Sequence, residues 1–272
     1  MTNSNKINLN ISVLIAIHHE IKANQAKISI ESIFLQKNIP REIIIIADGP
    51  INMELSEYLS DISLKYNQIV IFYLKKNKGL AYTLNYGLQK SNFELIARLD
   101  PDDIVVKNRF FEQKKEFDKN KTLSVCGSYA QEIYENNKKK ILKKPLTDNE
   151  IKVSLKIKNP IIHSTVMFKK SDIQLVGGYP IIYKCQDYLL WIKCMENSLM
   201  FKNINKALVI TKLDKSLMKR RDLKYFKFEK IIYSYMLEKK IINKFLFFLN
   251  VVFRFILRSL PYPLKFLLYQ IR

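Results

Sequence analysis

The residues of this 272-residue chain with the clearest capacity for chemistry are the carboxylates of Asp100-Pro101-Asp102-Asp103. Two carboxylates spaced as Asp-x-Asp after a buried strand can bind one divalent cation. Mn²⁺ and Mg²⁺ prefer oxygen ligands, so the same cation can also bind the oxygens of a diphosphate. An ordinary turn is the alternative, because aspartate and proline both favour turns. The choice between the two depends on which other polar groups lie nearby.

Three other polar groups are candidates for the same site. His18-His19-Glu20 and Asp48-Gly49-Pro50 each follow an apolar run, and Asp187 opens a predicted helix. One carboxylate suffices to take a proton from an attacking hydroxyl, although Asp187 also suits a helix N-cap and Asp48 suits a turn. Adjacent histidines on a loop point apart, so a histidine metal site is not expected.

The elements that must position these groups are predicted from hydrophobic periodicity. Apolar runs at 11–17, 42–47, 69–74 and 94–99 indicate buried strands, and amphipathic segments separate them. One such segment carries Leu55, Leu59, Ile62 and Tyr66 at helical spacing. This alternation predicts an α/β fold with a mostly parallel sheet covered by helices on both faces. Ligands bind beyond the carboxyl ends of such strands, so the three polar loops are expected at one rim.

The second half of the chain has mixed character. We predict a charged helix over 104–122, a strand over 123–134, an exposed basic turn over 135–144, a strand over 164–168, a turn at Gly177-Gly178 and a helix over 187–196.

An ordered set of short blocks resembles the inverting family 2 glycosyltransferases of GT-A fold, in particular the amylovoran-type branch of bacterial surface-polysaccharide enzymes. The resemblance covers about residues 11–230. The blocks are Ser12-Val13-Leu14, 42–50 (EIIIIADGP), Asn77 to Leu80 with Asn85 and Gly87, 96–103 (IARLDPDD), Asn108-Arg109-Phe110, Asn159-Pro160 with His163 and 165–168, Gly177-Gly178-Tyr179, Gln186-Asp187-Tyr188 with Leu190-Trp191, and Lys219-Arg220-Arg221.

The resemblance implies a Rossmann-like GT-A domain over residues 1–230 and a role for each matched residue. Residues 8–103 would bind the nucleotide, 104–230 would bind the acceptor, and 231–272 would form a basic amphipathic helical tail. Asp187 would be the catalytic base, and Asp102 with Asp100 would bind Mn²⁺ or Mg²⁺. The nucleotide-sugar would contact Ala16, His18, Glu20, Asp48, Asn77, Gly79, Asn85, Arg98 and Asp100.

The remaining implied roles concern the leaving group and the acceptor. Lys219, Arg220 and Arg221 would hold the departing diphosphate, since guanidinium groups suit phosphate oxygens; a solvated helix end is the alternative. His163, Gln186 and Trp191 would line the acceptor pocket, although His163 equally suits a satisfied buried histidine. Gln186 replaces the acid usual in the family.

Charge points to an anionic partner and a distinct tail. The chain has 46 basic and 25 acidic side chains, a formal charge of +21. Residues 241–272 contain five basic side chains, no acidic one and many apolar ones, which predicts a segment that lies on an anionic membrane surface; an oligomer contact is the alternative. The start of the chain lacks the pattern of a secretory signal, and three cysteines without a CxxC pair favour reduced thiols in a cytoplasmic protein.

The resulting hypothesis is an inverting glycosyltransferase at the inner face of the cell membrane. It would move a sugar, favoured as a UDP-sugar, to a polyprenyl-diphosphate-linked glycan in the synthesis of O-antigen, capsule or exopolysaccharide. A non-catalytic membrane-associated scaffold of the same fold is the first alternative. A nucleic-acid-binding protein is the second, disfavoured because the chain carries none of the usual recognition motifs.

Overall fold

The structure is a computed structural model that describes residues 6–134, 137–212, 222–261, 263–265 and 268. Its strands are β1 Ile7–Ile17, β2 Asn38–Ala47, β3 Ile69–Tyr73, β4 Leu95–Arg98, β5 Ile104–Val105, β6 Leu123–Ile133, β7 Lys139–Leu142, β8 Met167–Lys169 and β9 Met200–Lys212. Its helices are α1 Ala23–Phe34, α2 Met53–Lys65, α3 Leu80–Lys90, α4 Arg109–Lys119, α5 Asp148–Leu155, α6 Lys170–Leu175, α7 Gln186–Glu196, α8 Leu223–Glu238 and α9 Lys244–Ser259.

These strands form one sheet in the order β3-β2-β1-β4-β8-β6-β9-β5, with β7 paired to β6. The pairs β3·β2, β2·β1 and β1·β4 are parallel, whereas β8 runs antiparallel to both β4 and β6. Ile17 pairs with Ala47, and Leu14 pairs with Arg98. The predicted fold class is confirmed, and the loops after β1, β2 and β4 leave the same edge of the sheet.

The buried strands alternate between two apolar layers because successive side chains point to opposite faces. Val13, Ile15 and Ile43 pack with α1, α2 and α4, whereas Leu14 and Ile44 pack with α3, α5, α7 and α8. The predicted stripe on α2 lies inward, and the three cysteines are free and buried, as expected.

Two predictions for the middle of the chain need correction. The helix predicted over 104–122 is shorter, because Ile104–Val105 form β5 against β9 and Asn108, with φ of 68°, separates β5 from α4. The exposed turn predicted over 135–144 contains strand β7, which pairs with β6. Strand β5 depends on pairing with the distant strand β9, which local periodicity does not encode, whereas β7 forms a hairpin with the preceding strand β6.

The boundary predicted at residue 230 falls inside α8. This helix runs from Leu223 to Glu238 without a break, and Ile232, Tyr233 and Met236 are fully buried in the main core.

Candidate active site

The Asp100–Asp103 loop follows β4 and is closed by its own contacts. Arg98, the last residue of β4, is buried and forms an ion pair with Asp100. The Asp100 carbonyl accepts from the Ser29 hydroxyl at 3.0 Å and from the Asp103 amide at 3.2 Å. Asp102 is exposed at the turn. The loop is thus a turn, and this turn presents the Asp102 side chain to the outside.

Asp103, at the end of this loop, is buried. Burial and the negative charge of Asp100 raise the pKa of Asp103 well above its usual range, while the Ser164 hydrogen bond and the charge of Arg98 oppose this. Arg109 is also fully buried, and burial lowers its pKa to about 9. Its guanidinium donates to the Arg98 carbonyl at 2.7 Å. Buried charges on both sides therefore hold the end of β4 in place.

Asp100 and Asp102 have the chemistry of a divalent-cation site. Partial desolvation of the carboxylate and the neighbouring charge of Asp100 raise the pKa of Asp102, against a backbone hydrogen bond and the positive charge of Arg98. A divalent cation would relieve this crowding of negative charge, and carboxylate oxygens suit it. Among the described residues no group of three His, Cys, Asp or Glu side chains could hold a metal alone.

Asp48, after β2, fixes the loop that opens α3. Its two carboxylate oxygens accept from the backbone amides of Lys78 at 2.7 Å and Gly79 at 3.0 Å. Gly49 lies in the left-handed region with φ of 89°, and a Cβ there would lie 2.6 Å from the Asn77 nitrogen. Each carboxylate oxygen retains a lone pair, so the predicted contact with a nucleobase stays a prediction.

The other predicted donor residues divide between the rim and the interior. His18 and Glu20 lie in the loop after β1, where the Glu20 amide donates to His18 Nδ1 at 3.3 Å. Asn77 is exposed, and Gly79 is the N-cap of α3 with φ of 86°. Ala16, by contrast, is buried within β1.

Asn85 joins α3 to the loop that leads towards α7. Its side-chain amide donates to the Tyr179 carbonyl at 2.8 Å and accepts from the Tyr179 amide at 2.7 Å. The preceding turn has positive φ at Gly177 and Gly178, as predicted. Asn85 therefore positions the loop before α7, a structural role that sequence reasoning missed.

Asp187 lies in the first turn of α7. The N-cap is Cys185, with φ of 60°, so the N-cap alternative for Asp187 is wrong. The Asp187 carboxylate accepts from Asn159 Nδ2 at 2.8 Å and from the Tyr188 amide. Burial raises the pKa of Asp187, while these donors and the charge of Arg98 oppose the rise. A held carboxylate with a raised pKa suits proton abstraction.

Of the predicted acceptor residues, Trp191 lies beside His163. The His163 Nε2 lies 3.0 Å from the Tyr179 hydroxyl, and burial together with the charge of Arg98 lowers the pKa of His163 well below its usual range. The Trp191 ring is 6.4 Å from the His163 ring and is fully buried. Gln186, the first residue of α7, is also buried.

The charge of Arg98 acts both on the Asp100–Asp103 loop and on Asp187 and His163. The Arg98 Nε and Nη1 have no hydrogen-bond partner within the described ranges. Sequence reasoning also missed Asn159 and Tyr179 as site residues, although both stand in quoted blocks. Lys219, Arg220 and Arg221 lie outside the described residues.

Comparison with solved structures shows the fold class. The Staphylococcus aureus TarS structure matches with a TM-score of 0.66 at 14% identity, covering 92% of this chain and 43% of that chain. A mannosyltransferase from Pyrobaculum calidifontis, in complex with GDP-Man and Mn²⁺, matches with a TM-score of 0.64 at 11% identity, covering 84% and 64%. These matches show that the fold has GT-A architecture.

The family is shown by sequence. The model of glycosyl transferase family 2 matches residues 12–209, and the chain belongs to that family. The UDP-Gal:alpha-D-GlcNAc-diphosphoundecaprenol beta-1,3-galactosyltransferase of Escherichia coli is 33% identical over 261 residues, 95% of this chain and 94% of that protein. The amylovoran biosynthesis glycosyltransferase AmsE of Erwinia amylovora is 31% identical over 184 residues, 66% and 68% of the two chains. The predicted family is confirmed.

Proposed function

We propose that this glycosyltransferase moves a sugar from a UDP-sugar to a hydroxyl of a polyprenyl-diphosphate-linked glycan, with inversion at the anomeric carbon and with Mn²⁺ or Mg²⁺ bound. The galactosyltransferase of Escherichia coli supports the substrate classes, because similarity runs along nearly all of both chains. The observation that carries the mechanism is the placement of Asp187 and Asp100 within the electrostatic reach of one buried guanidinium, Arg98.

The donor would bind at the rim formed by the loops after β1, β2 and β4. Asp48 holds the 78–79 backbone, and Asp100 and Asp102 would hold the cation. A bound divalent cation supplies positive charge to the leaving diphosphate. Lys219, Arg220 and Arg221 stay candidates for the same task.

The acceptor hydroxyl would bind beside Asp187. The Asp187 carboxylate would take the hydroxyl proton as the oxygen attacks the anomeric carbon from the face opposite the diphosphate. Asn159 orients the carboxylate. His163, with a lowered pKa, offers a neutral imidazole to a sugar hydroxyl. A single displacement of this kind needs no covalent intermediate.

The site of action would be the inner face of the cell membrane, where the enzyme would be peripheral. The support is the diphosphoundecaprenol acceptor in the name of the relative. No described helix is long and apolar enough to cross a bilayer.

The test is transfer from UDP-galactose to a synthetic GlcNAc-diphospholipid with Mn²⁺, with other UDP-, GDP- and dTDP-sugars in parallel. We expect transfer from a UDP-sugar, a product of inverted anomeric configuration by nuclear magnetic resonance, and loss of transfer in Asp102→Ala. Tight Mn²⁺-dependent donor binding in wild type, lost in Asp102→Ala, reports the metal site without turnover. Retention of configuration contradicts the mechanism, and absence of any transfer favours the non-catalytic scaffold.

A further inference from the structure

Helix α9 exposes most of its large apolar side chains. Leu246, Phe247 and Val251 pack partly buried against the core, but the remaining contacts that dock α9 onto the body are made by polar side chains: Asn250, Arg254 and Arg258. Seven large apolar side chains of α9 are exposed, of which Phe255 also touches Phe226 of α8: Phe245, Phe248, Leu249, Val252, Phe253, Phe255 and Ile256. We call these seven residues the outward face of α9. A helix on a globular protein normally buries its apolar stripe and exposes its polar one.

A buried ion pair fixes this orientation. Arg258 donates to both carboxylate oxygens of Glu229 on α8, at 2.9 Å and 2.7 Å, and both residues are buried. The Arg258 guanidinium also lies 5.0 Å from the centre of the Tyr225 ring. Rotating α9 to bury its phenylalanines would leave the charge of Glu229 without this partner in the interior, which is strongly unfavourable.

The same polar side binds the end of α5. Asn250 donates to the Lys156 carbonyl, and Arg254 donates to the Ile157 carbonyl, each at 2.9 Å. Carbonyl groups at a helix C-terminus lack partners within the helix, so these donors satisfy them. Arg254 also donates to the Tyr233 hydroxyl at 3.0 Å. The outward face is therefore a fixed consequence of specific contacts.

The positive charge near the outward face favours an anionic partner. Residues 241–272 contain no acidic side chain. Arg254 and Arg258 face Glu229 in the interior, but Lys244 at the start of α9 is exposed, as are Lys224, Lys227 and Lys230 of α8. A second copy of the chain would bring these positive charges together, which disfavours association. An anionic bilayer offers opposite charge and an apolar layer at the depth that phenylalanine side chains reach.

We propose that α9 docks with its outward face into the surface of an anionic lipid bilayer. The inference deepens the proposed function, on which the presence of a lipid-linked acceptor rests. Ile157, which anchors α9, is two residues before Asn159, which holds Asp187. On the other side, Phe228 of α8 contacts Tyr183 in the loop before α7. Docking thus holds the segment at 157–159 and the loop before α7, which together position Asp187, next to the bilayer in which the acceptor lies.

The test is binding of the full chain to vesicles of phosphatidylcholine with about one third phosphatidylglycerol, measured by co-sedimentation. The variant Phe245→Ser/Phe248→Ser/Ile256→Ser replaces side chains that are 55 to 70% exposed. We expect it to weaken vesicle binding by about ten-fold or more, with an unchanged melting temperature, because these side chains leave the core untouched. Pure phosphatidylcholine vesicles should bind wild type more weakly.

The matched control is Leu35→Ser/Leu64→Ser/Leu175→Ser, whose side chains are 69 to 84% exposed on other surfaces. It should bind vesicles as wild type does. Equal loss in both variants, or no loss in the α9 variant, overturns the proposal. A wild-type dimer that becomes monomeric in the α9 variant also overturns it, in favour of a second copy. Vesicle binding without any sugar transfer would instead refute the proposed function and leave this inference standing.

Discussion

At the residue scale, Arg98 organises the charges of the site. It is paired with Asp100, and its charge also acts on the pKa of Asp187 and of His163. Burial raises the pKa of Asp187, and Arg98 limits this rise. The carboxylate that would bind the donor and the carboxylate that would take the proton therefore respond to the same cation.

Asp187→Asn tests the assignment of the base. We expect kcat for transfer to fall by about 10²- to 10⁴-fold, because the amide cannot accept the proton, with donor affinity unchanged by calorimetry. Burial disfavours the charged form of Asp187, so the ionised carboxylate destabilises the folded state at pH values above its raised pKa. The neutral amide removes this destabilisation, so the variant should melt no lower than wild type at neutral pH. Asp118→Asn, at an exposed position, is the control and should keep full activity. Wild-type rates in Asp187→Asn would contradict the assignment.

Asn159→Ala tests how the base is tuned. The Asn159 amide donates to Asp187 and lowers its pKa, so removal of the donor should raise the pKa of Asp187 further. The rate falls as the base becomes protonated, so the acid limb of the pH–kcat profile should move to higher pH. A loss of rate that is equal at all pH values would indicate a structural role alone.

At the element scale, α3 and the loop before α7 are joined by one side chain. Asn85 on α3 makes two hydrogen bonds to the Tyr179 backbone. The glycine before Tyr179 allows this approach, because a Cβ on Gly178 would lie 2.6 Å from the Asn85 side-chain oxygen. Helix α3 and the loop before α7 are therefore held together by these hydrogen bonds.

Gly178→Ala and Gly177→Ala form a matched pair that measures this connection. Both glycines have positive φ, at 71° and 85°, but a Cβ at Gly177 has nothing within 4 Å. Gly177→Ala should cost about 1 kcal/mol of unfolding free energy through backbone strain. Gly178→Ala should cost about 1 to 2 kcal/mol more, because it also displaces Asn85, and should raise KM for the acceptor. Equal costs in urea unfolding would show that the Asn85 contact adds nothing.

At the scale of the whole molecule, α8 and α9 are part of the body. Ile232 and Met236 are buried in the same apolar layer as α7, and Glu229 holds Arg258 of α9. The two helices therefore belong to the layer that positions Asp187. The outward face of α9 is left uncovered by this packing.

Glu229→Met tests the attachment of α9. The variant leaves Arg258 buried without its carboxylate, so we expect a loss of about 3 kcal/mol or more in the free energy of unfolding. The double variant Glu229→Met/Arg258→Met should recover most of that loss, because neither charge is then left unpaired. Urea denaturation of both variants measures the difference. A double variant as unstable as the single one would contradict the account.

The sequence by itself determined the elements and the chemistry of the site. Consecutive apolar residues in 42–47 require a strand buried on both faces, and the stripe of Leu55, Leu59 and Ile62 requires a helix against it. Local patterns of this kind suffice to place Asp48 and the Asp100–Asp103 loop at the carboxyl ends of strands. Ordered blocks then identify the family, because several motifs in sequence are far more specific than one.

The tertiary structure alone decided how residues distant in sequence meet. The pairing of Asn159 with Asp187 and of Asn85 with Tyr179 depends on the packing of separate elements, which no local periodicity records. The polarity of α9 is the clearest case. Its arginines look like the solvent-facing side of an amphipathic helix, yet Glu229 and the open carbonyls after α5 draw them inward. Burial with satisfied hydrogen bonds thus turns the apolar side outward, where a bilayer can cover it.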